Sequence, residues 1–266
     1  MKELVNKHPP SKQLRAIGID EVSVRKGHRY AIIVADMDQQ RPIWMSKRPG
    51  RQKEDMDVFF KELGEKQRDQ LELVVMDMWK PFWSSVKDYA NGAHIIYDKF
   101  HVLRHLNDAL DQVRRQEYTR ASKENKRFIK GQRYTLLSKE ANLDLKAQES
   151  LKILLKVNKR LNKAYLLKES FAQLWDYSNP MAAELFFDKW KEQLKWSRLK
   201  PYQHFVKMIE KHWPGIVSYC HPERKVSLGF MEGLVNKVRV IQRRSYGIQD
   251  LEYLGLKIIT SFIKDQ

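Results

Sequence analysis

The chain has 266 residues and is 42% hydrophobic, which is enough for one large core or for a core domain with a smaller partner domain. Its 50 basic against 33 acidic residues give a net charge of +17, which indicates a polyanionic partner such as nucleic acid, although a merely basic or ribosome-associated protein is the alternative. One cysteine, Cys220, excludes an internal disulfide and a Cys-x-x-Cys zinc site. With no apolar run of membrane-spanning length and no secretory signal, we expect a cytoplasmic protein.

The first hundred residues have the pattern of α/β structure. Apolar runs at 16–20, 30–35 and 42–45 predict three strands of an antiparallel meander, with Gly27-His28 as a tight connection. Later segments predict, in order, a helix over 53–63, a strand over 71–76, a helix over 81–89 and a strand over 94–97. Three strands, helix, strand, helix, strand is the order of a ribonuclease-H-like mixed sheet, so we predict the α/β class and this fold for residues 1–103.

The remainder of the chain has a helical pattern. Residues 104–222 predict an all-helical insertion that includes a long helix near 149–177, and residues 223–266 predict core-completing helices interrupted around Tyr246-Gly247. Most of the basic excess lies in these later parts. Tryptophans 175, 190, 196 and 213 are expected as core anchors more often than as nucleotide-stacking platforms.

Four aspartates follow the apolar runs that predict strands, and each taken alone is most often a turn residue. In the predicted sheet the first and fourth strands are neighbours, so Asp20 and Asp77 would converge on one point. Asp36 would lie at the opposite rim as a turn acid. Carboxylates that converge from separate elements are suited to hold two Mg²⁺ ions for displacement at a phosphodiester, and this chemistry needs a third acid.

Glu232 is the best candidate for the third acid. Asn236 and Arg239 follow it by four and seven residues, so the three would share one helix face, which Arg243 extends. The alternative is an ordinary solvated face, but Gly229 and Gly233 weigh against a routine surface helix.

Five short blocks follow one another in the chain: Gly18-Ile-Asp20-Glu21, Val75-Met-Asp77-Met78, Asp98-Lys-Phe-His101, Ala109-Leu-Asp-Gln-Val-Arg114-Arg115 and Met231-Glu232-Gly-Leu-Val-Asn236. Together they resemble the DDE insertion-sequence transposases of the ISL-three group, over about residues 14 to 262. The resemblance implies a ribonuclease-H-like core with a helical insertion, and Asp20, Asp77 and Glu232 as a catalytic triad for two Mg²⁺ ions, with Mn²⁺ as a substitute. It also implies cleavage and strand transfer of DNA at transposon ends and target, by a homo-oligomer that is nucleoid-associated when bound.

Further roles follow from the same resemblance. Asp98, His101 and Asn236 would be auxiliary site residues, although Asp98 and His101 fit equally well as caps of the next helix. Contacts to the DNA backbone are expected from the basic residues Arg114, Arg115, Lys126, Arg127, Lys237, Arg239, Arg243 and Arg244.

One departure from the family concerns the start of the chain. Family members commonly carry an N-terminal zinc module and a helix-turn-helix, and we expect both to be absent here because the first strand begins near residue 16 and there is no cysteine cluster. A truncated, non-catalytic DNA-binding remnant and another ribonuclease-H-like nuclease therefore stay as alternative functions.

Overall fold

The computed structural model describes residues 1–263 apart from residues 12, 26 and 28, and only the backbone of Arg25 and Glu124. The chain divides into two compact units. The first consists of Met1–Phe100 and Arg224–Gln266, and the second of His101–Glu223.

A five-stranded mixed sheet forms the centre of the first unit. Its strands are β1 (Ala16–Arg25), β2 (Arg29–Asp36), β3 (Arg41–Met45), β4 (Leu73–Met76) and β5 (His94–Tyr97), in the order β3-β2-β1-β4-β5. The first three strands pair antiparallel, whereas β4 lies parallel to β1 and β5 parallel to β4. The helices of this part are α1 (Lys2–Lys7), α2 (Lys53–Leu63), α3 (Glu65–Arg68) and α4 (Lys80–Tyr89).

The predicted strands are present, but β1 is longer than its apolar run suggests. It continues five residues past Asp20, because it pairs with β2 from Ile17 to Arg25 and buries Val22 beyond the acid. Gly27, with φ of 87°, follows in the connection to β2, where a positive φ favours glycine. His28, which the sequence places in the same connection, lies outside the described residues.

Asp36 ends β2 as a turn acid, as predicted. It is buried, and its Oδ1 accepts hydrogen bonds from the backbone N–H groups of Asp38 at 3.0 Å and Gln39 at 2.9 Å. This is the usual way in which an aspartate holds a tight turn.

The second unit is all-helical among the described residues. Helix α5 begins at Lys99, at the end of the first unit, and runs to Arg120. The helices that follow are α6 (Lys123–Gly131), α7 (Arg133–Leu137), α8 (Leu145–Val157), α9 (Lys159–Phe171), α10 (Pro180–Glu192) and α11 (Lys200–Val217).

The long helix predicted near 149–177 is two helices, α8 and α9, followed by a 3-10 turn over Ala172–Asp176. The break lies at Asn158, whose backbone is extended and whose Oδ1 accepts a hydrogen bond from the backbone N–H of Leu161 at 2.9 Å. Asparagine is one of the preferred N-cap residues, so a new helix begins after Asn158. The apolar spacing continues through residue 158 and therefore gave no sign of this helix start.

An aromatic cluster forms the core of the second unit. Phe171 is fully buried, and its ring lies 4.8 Å from Trp190 and 5.1 Å from Phe205 between centroids. The indole of Trp190 donates to the carbonyl of Leu167 at 2.9 Å. The core role expected for the tryptophans therefore holds for Trp190 and Trp175, which are buried, whereas Trp213 is half-buried and stacks on Phe187 at 4.8 Å.

Trp196 departs from the expected core role, because 96% of it is exposed. It lies in the connection between α10 and α11, where no neighbouring element covers it.

The chain returns to the first unit with α12 (Gly229–Arg244) and α13 (Leu251–Thr260). The predicted interruption around residue 246 is present, since both Tyr246 and Gly247 have positive φ. Helix α12 packs on β1 and α13 packs against β3. In the part of the chain that the structure describes, no helix combines the length and apolar character needed to cross a membrane.

Candidate active site

Three aspartates lie in one row across the parallel part of the sheet. Gly18 of β1 pairs with Val75 of β4, so continuing this register by two residues brings Asp20 alongside Asp77. Met76 pairs with Tyr97 of β5, which places Asp98 on the other side of Asp77. Asp20 and Asp77 thus lie the same two positions beyond the last paired residues of two adjacent strands, and adjacent strands lie about 4.8 Å apart. Two acids separated by more than fifty residues thus meet at one sheet edge.

Both central carboxylates are half-buried and are oriented by their own backbone. Asp20 Oδ1 accepts from the N–H of Glu21 at 2.7 Å, and Asp77 Oδ1 accepts from the N–H of Met78 at 2.6 Å. Burial raises the pKa of the neighbouring Glu21; Arg51 opposes this rise, and the negative charges of Asp20 and Asp77 add to it. Glu21 therefore lies within range of the charges of both Asp20 and Asp77.

Arg51 connects the segments that carry the two aspartates, and no pattern in the sequence marks it. Its guanidinium lies between the rings of Tyr30, at 4.6 Å, and Trp79, at 4.8 Å, measured to the ring centroids. The same group pairs with Glu21, next to Asp20, at 2.9 Å. Its carbonyl accepts from the indole N–H of Trp79, two residues beyond Asp77, at 2.9 Å. Arg51 thus ties the residue after one aspartate to the turn after the other.

Asp98 has a structural role that the sequence analysis left open. It is buried, and its Oδ1 accepts from the backbone N–H of Phe100 at 2.8 Å, in the first turn of α5. This hydrogen bond is that of a helix cap. His101, the first residue of the second unit, is half-buried with its Nδ1 3.0 Å from Arg104 Nη2.

Helix α12 lies on β1 in close contact at Gly18. A Cβ built on Gly18 would lie 2.6 Å from Sδ of Met37 and closer still to Sδ of Met231. At its other end, α12 is joined to β1 by a hydrogen bond of 3.2 Å from Gln242 Nε2 to the carbonyl of Ser23. The two contacts are about 16 Å apart along the helix and about 16 Å apart along the strand, so α12 runs beside β1 in the same direction.

The exposed side of α12 carries the predicted polar face. Glu232, Asn236 and Arg239 are exposed, and Arg239 Nη1 donates to Asn236 Oδ1 at 3.0 Å. Glu232 follows Met231 directly, so it is positioned through the contact at Gly18. Among the residues that the structure describes, no group of three histidine, cysteine or acidic side chains is close enough to hold one metal ion. The sheet places Asp20 beside Asp77, and Glu232 lies on the exposed face of α12, the helix that packs on β1.

Arg114 differs from its predicted role as a DNA contact. Its side chain is only 10% exposed, and its Nε donates to Asp111 Oδ1 at 2.7 Å. Burial alone would raise the pKa of Asp111, but hydrogen bonds and charge from Arg114 and Arg115 lower it overall. Arg114 is therefore a buried ion-pair partner of the second unit. Arg115 and Arg127 are exposed, and Lys126 is half-buried.

The basic residues of α12 are placed as a solvent-facing row. Arg239, Arg243 and Arg244 are exposed. Lys237 is also exposed, but its Nζ donates to the carbonyl of Ser261 at 2.7 Å and so connects α12 with the end of α13.

Comparison with known proteins identifies the family of this chain. A family model described as Transposase, of the ISL-three (ISL3) group, matches residues 17–258. The chain is 31% identical over 260 residues to the transposase for insertion sequence element IS1001 of Bordetella parapertussis, covering 96% of this chain and 63% of that protein. It is 27% identical over 264 residues to the transposase for insertion sequence element IS1557 of Mycobacterium tuberculosis, covering 91% and 58%. It thus spans about three-fifths of the length of these curated relatives. The chain belongs to the ISL-three group of DDE transposases.

Proposed function

We propose that this chain is the catalytic core of a DNA transposase, which cleaves DNA and transfers its strands with Asp20, Asp77 and Glu232 as the metal-holding acids. The observation that carries the proposal is the register of β1 and β4, which sets Asp20 beside Asp77 in a chain of a transposase family. The sheet order β3-β2-β1-β4-β5, with only β2 antiparallel to its two neighbours, supports a ribonuclease-H-like core.

The donor set fits magnesium. Two half-buried carboxylates on adjacent strands offer the hard oxygen ligands that Mg²⁺ prefers, with room for water, and Mn²⁺ accepts the same ligands. When bound, two such ions would activate an attacking hydroxyl and stabilise the leaving oxygen of a phosphodiester. Glu232, one residue from the contact of α12 with Gly18, would complete the set.

The residues of this chain would hold the reacting DNA in place. Arg51 and Glu21 keep the two aspartate segments in register. In the first unit, the exposed row of Arg239, Arg243 and Arg244 would contact phosphates and supply affinity without sequence choice. Arg115 and Arg127, both exposed, would have the same role in the second unit.

The test is nicking and strand transfer on supercoiled plasmid DNA with Mg²⁺ or Mn²⁺. We expect Asp20→Ala, Asp77→Ala and Glu232→Gln each to lower the rate by about 100-fold or more, which corresponds to about 2.7 kcal/mol of transition-state stabilisation. Glu72→Ala is the matched control, because Glu72 is an exposed acid directly before β4, at the end opposite to Asp77. Its rate should stay within about twofold of the original.

Three results would contradict the assignment. Equal nicking rates for the original chain and for Asp77→Ala would refute the metal-site hypothesis. Tight, salt-sensitive DNA binding without any metal-dependent cleavage would favour a DNA-binding piece, and nicking without strand-transfer products would favour a nuclease.

A further inference from the structure

Trp196 is the most conspicuous apolar side chain on the second unit. Its surface is 96% exposed, whereas a tryptophan ordinarily buries 150 to 250 Å² and supplies much of a core's stability. Trp190, in the preceding helix of the same unit, is 1% exposed. The chain thus leaves a large, rigid, flat side chain in water at one specific place.

The backbone around Trp196 is held in a conformation that local preference does not explain. Trp196 has φ of 64° and Arg198 has φ of 55°, both in the left-handed region that large side chains rarely adopt. The turn is anchored on each side by a buried leucine, Leu194 and Leu199. Such strained residues persist only where surrounding contacts impose them, and they concentrate at binding sites.

A hydrogen bond from Arg160 connects this turn to α9. Arg160 Nη2 donates to the carbonyl of Arg198 at 3.1 Å, and its Nη1 pairs with Glu117 at 2.7 Å. Glu117 also accepts from Asn158 Nδ2 at 3.1 Å. The turn that carries Trp196 is therefore connected through Arg160 to Glu117 of α5.

Positive charge surrounds the exposed ring. Lys195, Arg198 and Lys200 are all exposed, and no acidic residue occurs from residue 193 to residue 203. The ion pair of Lys195 with Glu192 is long, at 3.4 Å, with both side chains about two-thirds exposed, so it neutralises little of this charge. A flat aromatic face flanked by cations fits a ligand that is both aromatic and anionic.

We propose that the turn over residues 194–199 is a platform for an unpaired nucleobase of DNA, which stacks on Trp196 while Lys195, Arg198 and Lys200 hold the adjoining phosphates. Stacking on an aromatic side chain combined with phosphate contacts is how single strands are bound without sequence readout. A paired duplex shows its base faces only at its ends, so the platform is selective for unpaired DNA. This inference deepens the proposed function, because it rests on DNA as the partner.

The experiment measures binding of a fluorescein-labelled single strand of about 12 nucleotides and of the same sequence as a closed-end duplex. We expect Trp196→Ala to weaken single-strand binding by about 5- to 100-fold and to leave duplex binding within about twofold. Trp196→Phe, which keeps a flat ring, should retain most of the affinity. Tyr134→Ala is the matched control, because Tyr134 is an aromatic residue of the same unit that is 76% exposed, and it should change neither affinity. Arg198→Gln should weaken both and lower the salt dependence by about one phosphate contact.

Other outcomes would overturn the platform. Equal losses for both DNA forms with Trp196→Ala, or no loss for either, would remove the base-stacking role. A change in the sedimentation of the protein without DNA would instead assign Trp196 to a contact between copies. Because Trp196 is exposed, the variant should unfold at the original temperature, and a lower unfolding temperature would point to a structural role. The nicking test with Asp77→Ala is independent, so a failed platform and a failed catalytic assignment are distinguishable.

Discussion

Replacing Gly18 with alanine tests how closely α12 approaches β1. The new Cβ would lie 2.6 Å from Sδ of Met37 and closer to Sδ of Met231, so these neighbours must move. Both obstructing atoms are in flexible side chains, and we therefore expect a cost at the low end for an overpacked core, about 1 to 2 kcal/mol of unfolding free energy. Where Met37 and Met231 cannot move far enough to make room for the new Cβ, we expect α12 to shift away from β1. Since Glu232 follows Met231, the rate of DNA nicking should fall as well.

A double-mutant cycle with Met231→Ala separates this close contact from a general loss of stability. Met231→Ala alone leaves a cavity and should cost about 2 to 3 kcal/mol. In the double variant the methyl group at position 18 occupies space that the Met231 side chain has vacated. The loss of unfolding free energy should therefore be about 1 kcal/mol smaller than the sum of the losses in the two single variants. Thermal unfolding followed by circular dichroism measures this, at about 2 to 4 °C per kcal/mol for a chain of this size. Strictly additive effects would refute the contact between Gly18 and Met231.

Substitutions at three other positions probe the site and the second unit. Arg51→Ala should lower the unfolding free energy by only about 1 kcal/mol, because its ion pair with Glu21 is partly exposed, but should lower the rate of DNA nicking by more than this loss of stability explains. Arg51→Lys keeps a positive charge near Glu21 but cannot stack flat on the aromatic rings, so it should restore the stability more fully than the nicking rate. Asp111→Asn weakens the partner of the buried Arg114 and should cost about 3 kcal/mol at pH 7. The folded-state pKa of Asp111 is lowered, so the stability that its charge contributes is complete above the ordinary aspartate pKa and is lost as the pH falls through the lowered pKa. The unfolding free energies of the variant and of the original chain, measured with urea, should therefore become equal in acid. Asn158→Ala removes the cap of α9 and should cost about 1 kcal/mol, measured in the same way.

The sequence was sufficient to predict the five strands and the helices α2 and α4 of the first unit, but not α1, α3 or the continuation of β1 beyond Asp20. Helices α2 and α4 repeat apolar residues at the spacing of one buried face, whereas β2 and β4 are continuous apolar runs because nearly all of their residues are buried. Asp36 could be assigned to a turn because its hydrogen bonds reach only two and three residues along the chain. The spacing was also sufficient to place Glu232, Asn236 and Arg239 on one exposed helix face. These features depend on residues close together in the chain.

Other features depended on residues far apart in the chain, and only the tertiary structure decided them. The role of Arg51 comes from Glu21, Tyr30 and Trp79, each reached through a different element. Arg114 is buried although its neighbours in sequence gave no sign of it.

Trp196 shows the same division most clearly. Its residue type predicted a core position, because an indole gains so much from burial. Its exposure was decided by Leu194 and Leu199, which take the buried positions on either side, and by the bond from Arg160 to the turn. The sequence by itself determined the local periodicities, the basic charge and the order of the acids. The tertiary structure alone decided that Arg51 joins the two aspartate segments and that Trp196 stays in water, because these outcomes depend on contacts among distant parts of the chain.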